Sequence, residues 1–87
     1  MVIQKEAVCG TLQSNDCLVR IAPFSQGIEL TITSPVLARF GEQIETAVRD
    51  TLAALDVHAC RLTLEDKGAL DYTIRARVET AVRRAHE

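Results

Sequence analysis

The 87-residue chain has no tryptophan, one tyrosine and two phenylalanines, so it offers few rings on which nucleobases could stack. Ten basic residues against twelve acidic ones leave a net charge of -2, and the cationic field that a phosphate backbone requires is missing too. Nucleic acid is not an expected partner. No apolar stretch approaches the roughly 20 residues of a membrane span. The N-terminal run Met1-Val2-Ile3-Gln4-Lys5-Glu6 lacks the basic flank and apolar stretch of a secretory signal. No membrane association is expected, and a cytoplasmic setting is. The three cysteines Cys9, Cys17 and Cys60 are odd in number, at spacings that fit no zinc or redox motif. In a reducing compartment they serve as small core residues. Phosphate loops, Gly-x-Ser-x-Gly elbows and metal-ligand clusters are absent as well. A chain this short buries roughly 60 to 65% of the surface it exposes when unfolded, which leaves little room for a walled active site. Neither a catalytic residue nor a metal site is expected.

What is present is the composition of an ordinary folded chain, 47% hydrophobic and 25% charged, and residues 1–87 read as a single domain. Residues 6–12 and 16–22 are short runs of β-formers separated by Gln13-Ser14-Asn15, a polar spacer suited to a tight hairpin turn. Pairing Leu12 with Cys17 collects Val8, Gly10, Leu12, Cys17, Val19 and Ile21 on one non-polar face. That register places Cys9 and Cys17 on opposite faces. After the turn at 22–27, Ile28, Leu30 and Ile32 alternate with Glu29, Thr31 and Thr33, a third strand with one buried side. Ser34-Pro35 opens a helix to about Leu55 whose stripe is Val36, Phe40, Ile44, Val48, Leu52 and Leu55. Residues 57–64 read as a fourth strand with Cys60, Leu62 and Leu64 inward. A last helix, about Ala69 to Ala85, carries Leu70, Ile74, Val78, Ala81, Val82 and Ala85 on one stripe. The fold class is α+β: order βββαβα, a largely antiparallel sheet with two helices packed on one face.

Few side chains invite chemistry. Asp16, Asp66 and Asp71 suit turn and cap positions, and a Ser-His-Asp arrangement would need Ser14 beside His58, which nothing in the spacing suggests. Arg75, Arg77, Arg83 and Arg84 lie off the last helix's apolar stripe, on a solvated face or a docking surface for an acidic partner. Ser14 stands out. A hydroxyl at a hairpin tip is exposed, held on a rigid stem and flanked by small polar residues, as a modifying enzyme requires. From the residues alone it reads first as a turn residue.

Gly10-Thr11-Leu12-Gln13-Ser14-Asn15-Asp16 with Arg20-Ile21-Ala22-Pro23 resembles the start of the acyl carrier (gamma) subunits of citrate lyase. So do Phe40-Gly41, Asp66-Lys67-Gly68-Ala69-Leu70-Asp71 and Arg75-Ala76-Arg77, in the same order and spacing over almost the whole chain. Cys9 departs from the resemblance, standing where Ala is expected. The resemblance implies a non-catalytic carrier of citrate fermentation. Ser14 would hold a covalent 2'-(5''-phosphoribosyl)-3'-dephospho-CoA through a phosphodiester, placed there by a prosthetic-group transferase. The thiol of that group would present acetyl and citryl thioesters to the alpha (acyl transferase) and beta (lyase) subunits. The related carrier of malonate decarboxylase is the alternative within carriers, and a plain protein-interaction module is the alternative outside them.

Overall fold

In a computed structural model describing residues 1–87, the chain order is β1 (Ala7–Gly10), β2 (Cys17–Ala22), β3 (Ile28–Thr33), α1 (Leu37–Ala54), β4 (Cys60–Asp66) and α2 (Asp71–His86). This is the βββαβα order read from the pattern. The strands form one sheet in the order β1-β2-β4-β3, with β1–β2 and β2–β4 antiparallel. β3 and β4 are parallel. Two parallel neighbours cannot be joined by a hairpin, so α1 supplies the crossover between them. β4 is thus an inner strand, although it is the last to be made.

Both helices cover one side of the sheet. Val19, Ile21, Leu62 and Leu64 from the strands meet Val48, Leu52, Val78 and Val82 from the helices in one buried apolar cluster. The opposite face carries Arg20, Glu29, Thr31 and Arg61 and stays exposed, with an Arg61–Glu29 pair of 2.9 Å bridging β4 and β3. A sheet of this kind reads as alternation, and the β3 and β4 alternations are found as expected, with Cys60, Leu62 and Leu64 fully inward.

The hairpin register is different from the one expected. Gly10 pairs with Leu18 and Cys9 with Val19, one residue away from a Leu12–Cys17 alignment. Because side chains alternate with period two, a one-residue slip exchanges the faces. Ala7, Cys9, Cys17, Val19 and Ile21 therefore share the inner side, while Val8 faces out. Cys9 and Cys17 lie on the same face rather than opposite ones, and both are buried, free thiols. The slip is driven by the turn, which spans six residues, Thr11–Asp16, rather than a tight tip. Gly10 has φ +105°, and a Cβ there would collide with the Cys17 carbonyl oxygen, so this position requires glycine.

α1 begins at Leu37 with Val36 as its cap residue and no side-chain cap, later than a start on Ser34-Pro35, because the Ser34 hydroxyl closes a turn onto the Val36 amide instead. The helices also depart from the apolar stripes at one end. Ile44, Ala47, Val48, Thr51 and Leu52 of α1 are buried, but Val36 and Phe40 are each 39% exposed, and Leu70, just before α2, is 58% exposed. The N-terminal ends of both helices stand away from the core and leave a gap between them.

Candidate functional site

The loop from Thr11 to Asp16 is organised around a single carboxylate. The Asp16 side chain accepts from the Thr11 hydroxyl at 2.7 Å and from the Cys17 amide at 2.7 Å. Thr11 Oγ1 in turn accepts from the Gln13 amide at 3.2 Å. From the other side of the molecule, Arg77 of α2 donates Nε to Oδ1 at 3.0 Å and a terminal nitrogen to Oδ2 at 2.8 Å. A two-point guanidinium–carboxylate pair fixes direction as well as distance. The donors, Arg77 first and Thr11 next, hold the Asp16 carboxyl down at about 2, so the loop's hub is ionised at any physiological pH.

A second clamp uses the backbone. The Asn15 amide donates to the Lys67 carbonyl at 2.8 Å, and the Lys67 amide donates to the Asp16 carbonyl at 2.9 Å. Asn15 takes φ 67°, a left-handed conformation that Asn tolerates better than most residues. The loop is therefore tied to the end of β4 as if the ladder continued past Asp66. Asp66 itself is buried and fully used, accepting the Ser34 hydroxyl at 2.8 Å and the Ala69 amide at 2.8 Å. The Ser34 hydroxyl also accepts from the Val36 amide at 3.1 Å, so one serine joins the start of α1 to the end of β4.

Ser14 sits at the top of this braced loop, exposed. The loop's hydrogen bonds are made by Thr11, Gln13, Asn15 and Asp16, and none of them uses the Ser14 hydroxyl. Its hydroxyl is not hydrogen-bonded to any side chain that could act as a base, and the carboxylate of its own loop, Asp16, is engaged by Arg77 and Thr11. His58 pairs with Asp56 at 2.8 Å, just before β4 begins, whereas the Ser14 loop is bound to the residue after β4 ends. Seven strand residues separate those ends by about 20 Å. The structure thus provides a presented hydroxyl without the means to activate it.

Beneath the loop the Cys17 thiol is pushed up to about 12, chiefly by burial and then by the nearby Asp16 and Asp66 carboxylates. Burial also raises the Cys60 thiol. Neither is poised as a nucleophile. Asp16 and Asp66 keep the turn and cap roles expected of them, and Asp71 pairs with Arg75 at 2.6 Å, one turn along α2. The arginines of α2 are not free: Arg83 pairs with Glu79 at 2.9 Å, Arg84 donates to the Val8 carbonyl at 2.7 Å, and Arg77 holds Asp16. Three of the four arginines of α2 are thus paired with carboxylates, and Arg84 keeps its charge at the surface.

The family described as ACP, malonate decarboxylase delta subunit (MdcD), matches residues 4–85. The citrate lyase acyl carrier protein of Treponema denticola is 60% identical over all 87 residues, covering 99% of its own length. That of Cronobacter sakazakii is 49% identical over 87 residues, covering 100% of this chain and 90% of its own.

The chain belongs to the citrate lyase acyl carrier protein family.

That of Haemophilus influenzae is 51% identical over 85 residues, covering 98% of this chain and 88% of its own. A chain from a Pseudomonas malonate decarboxylase hetero-tetramer in complex with malonate shares the fold, with a TM-score of 0.68 at 19% identity. That likeness covers 95% of this chain and 86% of the other. In this member of the citrate lyase acyl carrier protein family the sequence points to Ser14 and to Asp16 as a turn residue, but not to Arg77 or Lys67 as supports of the loop. Arg77 lies off the main apolar stripe, yet its spacing, three after Ile74 and four before Ala81, puts it on the edge of the buried side. Lys67 acts through its backbone, which leaves no trace in side-chain chemistry.

Proposed function

We propose that the chain is one carrier domain, residues 1–87, and the acyl carrier subunit of a citrate lyase complex, with Ser14 as the attachment point for its prosthetic group. The observation that carries this reading is the free, exposed Ser14 hydroxyl on a loop braced by Arg77–Asp16 and by Lys67. The group implied by the resemblance, a phosphoribosyl dephospho-CoA in phosphodiester linkage, fits such a residue. The hydroxyl is uncommitted, its neighbours are small and polar, and nothing covers it. When attached, the group supplies a terminal thiol that carries acyl chains as thioesters.

The chain's own residues do the rest. Asp16 keeps its charge, so the two-point pair with Arg77 fixes the loop's direction. The Asn15–Lys67–Asp16 backbone bonds make the anchor part of the sheet rather than a mobile tip. With the Asp16 carboxylate held by Arg77 and Thr11 and no hydrogen bond to Ser14, removal of the hydroxyl proton is assigned to a separate prosthetic-group transferase. The carrier performs no turnover itself. Presentation from a tether keeps the thioester at high local concentration for the alpha and beta subunits, its proposed partners. A cytoplasmic setting is supported by three free, buried thiols, and no helix is long and apolar enough to cross a membrane.

The test is the intact mass of protein purified from its native host. The expected result is a covalent adduct that disappears in Ser14→Ala; an unmodified native chain, or an adduct surviving that substitution, overturns the proposal. A second reading, the carrier of malonate decarboxylase, is supported by the family description and the shared fold. The subunits that co-purify distinguish the two, and the high identity to citrate lyase carriers favours the first.

A further inference from the structure

The gap between the helix starts is a cavity of about 390 Å³, within the roughly 300–1,000 Å³ of small-ligand sites. Its walls are Phe40 and Ile44 from α1, Leu70 and Ile74 from the start of α2, and Val36 at the α1 cap. Asp66, Gly68 and Ala69 form its floor and rim. These are the residues next to the Lys67 clamp, so one four-residue segment, 66–69, builds both the cavity floor and the support of the Ser14 loop. At the rim, the Cβ position of Gly68 is 3.6 Å from the Asn15 side-chain oxygen, and Ser14 is the neighbour of Asn15. Adding the one-residue step, the anchor lies within roughly 10 Å of the mouth.

We infer that this cavity is a resting site for the uncharged thiol end of the group tethered to Ser14, in its acetylated state: an amide-bearing pantetheine arm capped by a small apolar acyl group. The inference rests on the carrier reading of Ser14. The chemistry of the lining selects that end of the group. Six apolar residues line it, and the ionisable lining residues, Asp66 and Asp71, are both acids, with no lysine or arginine to receive a phosphate. The two carboxylates also offset the positive ends of α1 and α2, which open at the same place. Asp66 is already satisfied by Ser34 and the Ala69 amide, so it asks nothing of a ligand. The backbone amides of Asp71 and Tyr72 find no carbonyl partner in the turn before α2, and with Gln43 at the wall they give donors for the amide carbonyls of such an arm. The tether runs through a phosphoribosyl, a nucleoside and a pyrophosphate before the arm begins, so it is long enough to fold back over that distance, and occupancy is intramolecular, so weak contacts suffice.

The experiment is methyl and amide NMR of the full chain, unmodified and acetyl-loaded, with intact mass recorded on each sample. Loading is expected to shift the Ile44, Leu70 and Ile74 methyl signals. Leu70→Glu, at an exposed position, is expected to abolish the Ile44 and Ile74 shifts while leaving the melting temperature unchanged. An arm housed nine-tenths of the time would also lose its acetyl group to hydroxylamine about tenfold more slowly than in Leu70→Glu. Shifts confined to residues 11–16 and 67, with equal hydroxylamine rates, overturn the inference. Free S-acetylpantetheine titrated into the unmodified chain is expected to shift the same methyls, and ADP is not; ADP shifting them in its place also overturns it. If the mass shows no adduct at Ser14, the carrier reading fails, and the titration alone then decides the cavity.

Discussion

Gly10 and Asp16 bracket the loop that matters most, and they act by different physics. Gly10 combines a left-handed backbone with a direct approach by the Cys17 carbonyl, so Gly10→Ala should destabilise the fold by on the order of 2 kcal/mol or more. Urea unfolding measures that loss. Asp16 works through charge. Its carboxyl is held at about 2 in the folded state, below the usual carboxylate range. Its contribution is therefore complete above about pH 4 and is lost as pH falls from 4 toward 2. Asp16→Asn should cost on the order of 1 kcal/mol at pH 7, the pair being partly open to solvent, and nothing near pH 2. Parallel urea curves at the two pH values check this; a constant difference would show that the loss has another origin. Ser14→Ala should leave stability within about 0.5 kcal/mol, as expected for an exposed side chain with no bonds. At this scale Ser14 was legible in the sequence because hydroxyl, small neighbours and turn all lie within a few residues. Arg77 was not, because its partner is 61 residues away and only folding brings them together.

At the scale of elements, the joint between β4 and α1 has the most to lose. The Ser34 hydroxyl accepts from the Val36 amide in the turn before α1 and donates to buried Asp66, so Ser34→Ala removes that turn bond and strips a buried carboxylate oxygen of its partner. A loss of about 1–3 kcal/mol is expected in thermal or urea unfolding. α1 is predicted to be uneven along its length. Hydrogen exchange should be faster over 37–43 than over 44–54, because only the second stretch packs on the sheet; uniform protection would contradict the open helix end. The element order and the inner faces of β3 and β4 follow directly from alternation and from Ser34-Pro35. The β1–β2 register did not. Val8, Gly10 and Leu12 make as apolar a face as Ala7, Cys9 and Cys17, so hydrophobicity hardly separates the two pairings. The decision falls to the Gly10 backbone and the six-residue loop. The apolar stripes likewise could not reveal that Val36, Phe40 and Leu70 stop short of the core, since a stripe shows direction but not what lies opposite.

For the whole molecule, the charge pattern turns inward on itself. Ion pairs run from α2 to the β1–β2 loop, from β4 to β3, and within α1 and α2, which leaves the surface without a field of one sign. Its thiols are equally withdrawn. Cys17 and Cys60 are raised by burial and Cys9 is buried with them. The folded chain without its prosthetic group should therefore resist alkylation by iodoacetamide at neutral pH, with all three cysteines reacting only on unfolding. Rapid labelling of the folded, unmodified chain, read by intact mass, would contradict the packing. The thiol chemistry proposed for the complex is thus kept separate from the fold's own cysteines. The double brace of the Ser14 loop also has a mechanical side. Any partner that draws the tether into its own site pulls on Ser14. That load does not fall on the hairpin alone. It passes through Lys67 into β4, an inner strand bonded on both sides, and through Arg77 into α2. The anchor can then be tugged from one partner to the next without peeling β1 from the edge of the sheet.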